Sequence, residues 1–152
     1  MLFRSDPDNA LTHFRIGLAY RDLGAMLEAE KEFRRALELK HDPSATIPEL
    51  AQAMLALERF KEVLVDIKPA SGLAAPALAD IAVARGKAHL RLGAVADART
   101  QFYLGMKERP AESRLGLVVA ALAERDAKTA QRLLDELIAQ RSEEHTSELQ
   151  SH

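Results

Sequence analysis

The chain has 152 residues, 47% hydrophobic and 29% charged, which suits one soluble globular unit with enough apolar side chains for a sizeable core. Lysine and arginine together number 21 against 23 aspartates and glutamates, a balance that argues against nucleic acid or an anionic membrane as main partner, since both need clustered basic residues. The absence of cysteine excludes disulfides, thiolate nucleophiles and cysteine metal sites, and no stretch approaches the roughly 18 uninterrupted apolar residues of a membrane span.

The opening "MLFRSDPDNALTHF" has no apolar h-region, so no signal peptide is expected here. From Asp6 and Pro7, read as a helix start, "DPDNALTHFRIGLAYRDLG" carries apolar residues at three- and four-residue spacing and stops at Gly24. "AMLEAEKEFRRALELK" is the second expected helix, ending before Asp42 and Pro43. "IPELAQAMLALE" and "RFKEVLVDIK" follow, closed by Pro69 and the "ASG" loop. Then come "APALADIAVARGKAHLRLG" and "VADARTQFYLGMKER", stopped by Pro110, and finally "ESRLGLVVAALAE" and "DAKTAQRLLDELIAQ". The pattern predicts eight helices in four hairpins and no strand.

The hairpins share fixed offsets. Ile16, Gly17, Tyr20, Gly24, Ala29, Phe33 and Ala36 of the first align with Arg85, Gly86, His89, Gly93, Ala98, Phe102 and Gly105 of the third, which closes on Pro110. The second fits through Leu50, Ala51, Met54, Phe60, Val63 and Ile67, and the fourth through Leu117, Val118, Ala121, Ala130, Leu134 and Leu137. Ala29, Val63, Ala98 and Ala130 are equivalent positions, separated by 34, 35 and 32 residues. Gly17, Gly86 and Ala51 are placed where the paired helices cross, because a larger side chain would push the axes beyond the usual 8–10 Å or so. Ala29 and Ala98 are expected to face them, Phe33 and Phe102 to fill the space between hairpins, and Gly24 and Gly93 to supply the turns.

These offsets resemble the tetratricopeptide repeat, a helix-turn-helix unit of about 34 residues. The resemblance implies an all-α, right-handed superhelical solenoid of about four hairpins over residues 6–140, at roughly 8–42, 44–70, 76–110 and 112–140. The order of hairpins, a regular one, a shortened one ending in a proline-bearing loop, a regular one and an "L-A-x-x-D" one, is similar to tetratricopeptide-repeat lipoproteins associated with PEP-CTERM/exosortase systems of Gram-negative bacteria. That likeness implies an interaction scaffold in exopolysaccharide production and surface-protein sorting. It also implies a periplasmic, membrane-anchored location, although the lipoprotein signal is not in this chain.

Chemistry-bearing patterns are sparse. His13, His41 and His89 have no carboxylate or second histidine at i+3 or i+4, and no HExxH, phosphate-cradling loop or nucleophile elbow occurs, so no enzyme activity, cofactor or metal is expected. Binding of a protein or extended peptide segment is the expected activity, in a groove lined by the first helix of each hairpin. The groove candidates are Leu11, Phe14, Leu18 and Arg21, then Gln52 and Leu55, then Val83, Lys87, Leu90 and Arg91, then Leu115, Val119 and Leu122. Tetratricopeptide domains with a carboxylate clamp carry lysine and asparagine where this chain has Phe14 and Leu18, so that clamp is missing, and an apolar or weakly acidic ligand segment is expected. The alternative is a repeat segment that regulates an enzyme or signalling domain elsewhere in a longer chain.

The last twelve residues, Arg141 to His152, coincide with an in-frame translation of a widely used short-read sequencing adapter, Arg-Ser-Glu-Glu-His-Thr-Ser-Glu-Leu-Gln-Ser-His. They are therefore expected to be an artefact, and Glu143, Glu144, His145 and Glu148 no acid or metal site. Without them the chain carries 20 residues of each charge. On this reading the natural protein continues past Gln140 into further repeats. The stripe of Leu133, Leu134, Leu137 and Ile138 then includes residues meant for a following hairpin.

Overall fold

A computed structural model describes residues 9–151. Among these all eight regular elements are helices: α1 (Ala10–Asp22), α2 (Met26–Glu38), α3 (Pro43–Ala56), α4 (Phe60–Asp66), α5 (Ala75–Arg91), α6 (Val95–Gly105), α7 (Pro110–Ala123) and α8 (Ala127–Gln150). The expected cap at Asp6 and Pro7 lies outside the described residues; Asn9 caps α1, its side chain accepting from the Thr12 amide. α3 begins four residues before the expected Ile47, because Asp42 caps the Ser44 amide and Pro43 occupies the first helical position, where its missing N–H costs nothing. Pro110 does the same for α7, and α6 ends earlier than expected, at Gly105.

The turns inside the four hairpins share one backbone geometry. Gly24, Glu58, Gly93 and Arg125, 34, 35 and 32 residues apart, have φ of 77°, 58°, 78° and 60°. At the first, Gly24 N–H donates to Arg21 O and Ala25 N–H to Tyr20 O, the paired bonds of a Schellman cap. The same pair recurs from Glu58 to Leu55 and Arg59 to Met54, from Gly93 to Leu90 and Ala94 to His89, and from Arg125 to Leu122 and Asp126 to Ala121. Two of these four inner turns thus hold a charged, β-carbon-bearing residue in the left-handed region.

Packing is strictly between neighbours. Each helix touches only helices one or two places along the chain, so α1 meets α3, α3 meets α5 and α5 meets α7, while α2, α4 and α6 bridge each hairpin to the next. Ala29, Val63 and Ala98 are fully buried and Ala130 nearly so. The nearest neighbours of the crossing glycines are the aromatic rings: a Cβ on Gly17 would stand 2.6 Å from Phe33 Cε1, and one on Gly86 2.7 Å from Phe102 Cε1. Phe102 also reaches Gly116 of the following hairpin. Two core clusters result, one around Phe33, Met54, Ile67 and Ile81, with Tyr20 packed on it, the other around Phe102, Leu117, Val118 and Leu133.

α4 is only 7 residues long. Its end is closed by Arg85, whose Nη1 donates to the Leu64 and Ile67 carbonyls at 2.9 and 2.8 Å, so a side chain from the next hairpin replaces the helical turn that Pro69 cuts off. Its start is held by Glu30, which is buried on α2 and accepts from Arg59 at 2.6 Å and Arg34 at 3.0 Å. Burial opposes the charge on Arg34, but hydrogen bonds to Asp66 and Glu30 outweigh it and raise its pKa. Beyond Gln140, α8 runs on for ten residues, and every side chain from Arg141 to Gln150 is exposed.

Candidate peptide-binding face

Successive contacts α1 to α3, α3 to α5 and α5 to α7 set the first helices of the hairpins side by side. Their outward residues are therefore drawn from Leu11, at 42% exposure, through Gln52, Lys87 and Arg91 to Leu115, Val119 and Leu122 at 53%, 47% and 57%.

The expected groove residues fall into three groups. Phe14, Leu18 and Leu55 are half-buried against the first core, and Phe14 stacks on His41 at 4.5 Å between ring centroids while touching Phe33 at 5.9 Å. Their apolar area is largely committed to packing. Val83 is a correction, since it is 4% exposed, belongs to the second core and lies under Gly105. It holds the same repeat position as Phe14 and the exposed Leu115, so its burial comes from α6 and α7 packing on α5 rather than from the helical period.

The basic candidates are not equivalent. Arg21 donates to Glu49 on α3 at 2.6 Å and to Asp22 at 2.8 Å, and the Glu49 hydrogen bond, then that to Asp22, raises its pKa. Arg91 pairs with Glu58 at 3.1 Å and lies over the Phe60 ring at 4.7 Å. Both arginines tie neighbouring hairpins together, with their charge met from within the chain. Lys87 is different: it is exposed and stands on the wall of a cleft of about 180 Å³ between α5 and α7, with Leu90, Glu112, Leu115, Gly116 and Val119, floored by Phe102. Lys87, Leu90, Leu115 and Val119 are thus the candidates that the fold brings into one concavity. It can seat an apolar side chain between two opposite charges, Lys87 and Glu112.

A larger concavity was not anticipated. About 390 Å³ opens between the N-terminal half of α5 and the end of α6, walled by Pro69, Leu78, Ala82, Leu104 and Lys107. It exists because α4 stops after 7 residues and leaves that flank of α5 uncovered. The proline-bearing "IKPASGLAAP" was the available signal. Among the described residues no group of three or more histidine, aspartate or glutamate side chains could hold a metal ion, and no helix is long and apolar enough to cross a membrane.

No protein-family model matches the chain, and no curated protein or solved structure matches it significantly.

Proposed function

We propose that the chain is a tetratricopeptide-type solenoid segment that binds an extended protein segment across α1, α3, α5 and α7, anchoring one apolar side chain in the Lys87, Leu90, Leu115 and Val119 cleft. The observation that carries this reading is the exposed apolar row on α7, where Leu115, Val119 and Leu122 are each about half exposed or more beside a ready concavity. Clefts of this kind hold a short anchor, and flanking contacts along a row of helices add affinity and register. Equal turn geometry at 34-, 35- and 32-residue spacing supports the repeat reading. Through the PEP-CTERM resemblance, the setting is an envelope scaffold for polysaccharide export and surface-protein sorting.

A displayed library of random peptides selected on the immobilised chain tests the binding reading. Enriched peptides that lose binding to Val119→Asp and Leu122→Asp, and keep it on Leu104→Asp at the α5–α6 flank, support it. Selection of no peptide, or of peptides insensitive to Val119→Asp, overturns it. The envelope setting is tested by deleting the source gene and measuring whether surface proteins bearing the sorting signal are still processed.

A further inference from the structure

The repeated geometry makes it possible to ask what each hairpin presents to its neighbours, position by position. On the first helix, Thr46, Ile81 and Ser113 are equivalent and all essentially fully buried, and so are Ala53, Ala88 and Ala120. Between them lie Leu50, Arg85 and Leu117, of which Leu50 and Leu117 are 3% and 2% exposed and Arg85 bonds to the preceding α4. These three positions face the preceding hairpin, as the closeness of Ser113 Oγ to Gly105 also shows. In α1 the same positions are Thr12, Ile16 and Ala19; Ile16 is 39% exposed and Ala19 is exposed.

The complementary half lies on the second helices. Phe33, Ile67 and Phe102 are buried against the following hairpin, and their equivalent in α8 is Leu134, only half-buried. Leu37 and Met106 are packed on the two cores, whereas their equivalent, Ile138, is 62% exposed. Ala36 and Gly105 are buried where α8 has the half-buried Leu137.

We infer that the α8 face of Leu134, Leu137 and Ile138 docks the α1 face of Thr12, Ile16 and Ala19 on a second copy of this chain. The two surfaces are the two halves of an interface that the chain already makes within itself three times, from α2 to α3, α4 to α5 and α6 to α7. The α8 half is wholly apolar and bulky, with Leu137 where Ala36 and Gly105 stand, and the α1 half offers the small residues Thr12 and Ala19 on either side of Ile16 to receive it, so the two can pack without burying a charge. Because the halves sit on different elements, the contact is head-to-tail. Each added copy presents a fresh α8 face, and association proceeds without closing.

Analytical ultracentrifugation of the full chain tests this with two face variants, Ile16→Glu and Ile138→Glu, both at exposed positions and checked for helicity by circular dichroism. The wild-type chain is expected to show a mass that climbs with concentration without a plateau. Each variant alone should stay monomeric, and an equimolar mixture of the two should form two-copy complexes and nothing larger, because only one open pair of faces remains. Ala19→Arg gives a second block of the α1 face that leaves Ile16 in place. A wild-type chain still monomeric at about 1 mM overturns the proposal. So does association that survives either single variant, or a mixture that fails to pair, since these assign the exposed faces to some other occupant.

Discussion

The ring of Phe102 lies against Gly116 of the next hairpin so closely that a methyl group on that glycine would stand 2.3 Å from Cε1. The same ring is pressed by Gly86 from the other side, where a Cβ would stand 2.7 Å away. The ring therefore has nowhere to retreat. Alanine is favoured over glycine in a helix by about 1 kcal/mol, yet overpacking a core costs about 1–3 kcal/mol and more where the neighbour is pinned. Gly116→Ala is expected to lose about 2 kcal/mol in urea denaturation. In a Phe102→Leu background the same change should cost at least about 1 kcal/mol less, a coupling that a double-mutant cycle reads directly.

Glu58 and Arg125 hold φ of 58° and 60° at turns where Gly24 and Gly93 serve in the other hairpins. A β-carbon there costs about 1–2 kcal/mol, while glycine brings about 0.5–1 kcal/mol of extra unfolded-state freedom. Arg125→Gly should raise stability by about 0.5 kcal/mol, and Glu58→Gly should gain less, because it also removes the ion pair with Arg91. Gly24→Ala and Gly93→Ala should each lower it by about 1 kcal/mol, with the denaturant slope unchanged in all four.

Ser113 is fully buried, and its hydroxyl has no hydrogen-bond partner beside Gly105. An unmet buried hydroxyl costs about 1–3 kcal/mol of desolvation. Ser113→Ala removes that cost and leaves a very small void, so a gain of about 1 kcal/mol in thermal or urea unfolding is expected.

His89 has its pKa lowered, first by burial, with Arg85 adding to the effect and Asp97 opposing it. The unfolded chain therefore takes up this proton at higher pH than the folded one. Stability should fall as pH drops from about 7 towards 5. His89→Gln should flatten that part of the profile, read as the difference between variant and wild type so that the other histidines cancel.

Every side chain from Arg141 to Gln150 is exposed, and the hydrogen bonds of this stretch stay within α8, such as Gln140 to Glu144 and Thr146 to the Ser142 carbonyl. A chain ending at Gln140 should unfold within about 0.5 kcal/mol of the full chain, while its helicity per molecule drops.

Small and aromatic residues at fixed offsets made the hairpins legible, because close helix crossings restrict side-chain size locally and leave that restriction in the sequence. Gly17, Ala29, Phe33, Gly86, Ala98 and Phe102 are buried as their spacing implied. Glu58 and Arg125 were opaque as turn residues, since nothing in glutamate or arginine announces positive φ. The fate of Arg21 and Arg91 was equally hidden. Their partners, Glu49 and Glu58, lie 28 and 33 residues away, and which charges meet depends on how hairpins stack rather than on any one helix's period. Arg85 as a cap for α4, and the concavity that a shortened α4 opens, likewise belong to three-dimensional adjacency.

Because each helix touches only helices one or two places along, no contact between helices joins distant parts of the chain. The loop-closure entropy of forming any contact is then small, and assembly can begin at any hairpin and spread outwards like a zipper. Opening runs the same route backwards, with the outermost hairpins exchanging their amide protons before the middle ones. The join between the second and third hairpins is expected to hold longest despite the shortness of α4, because one core runs across it through Met54, Ile67, Ile81 and Ala84 and Arg85 fastens the end of α4 from the far side.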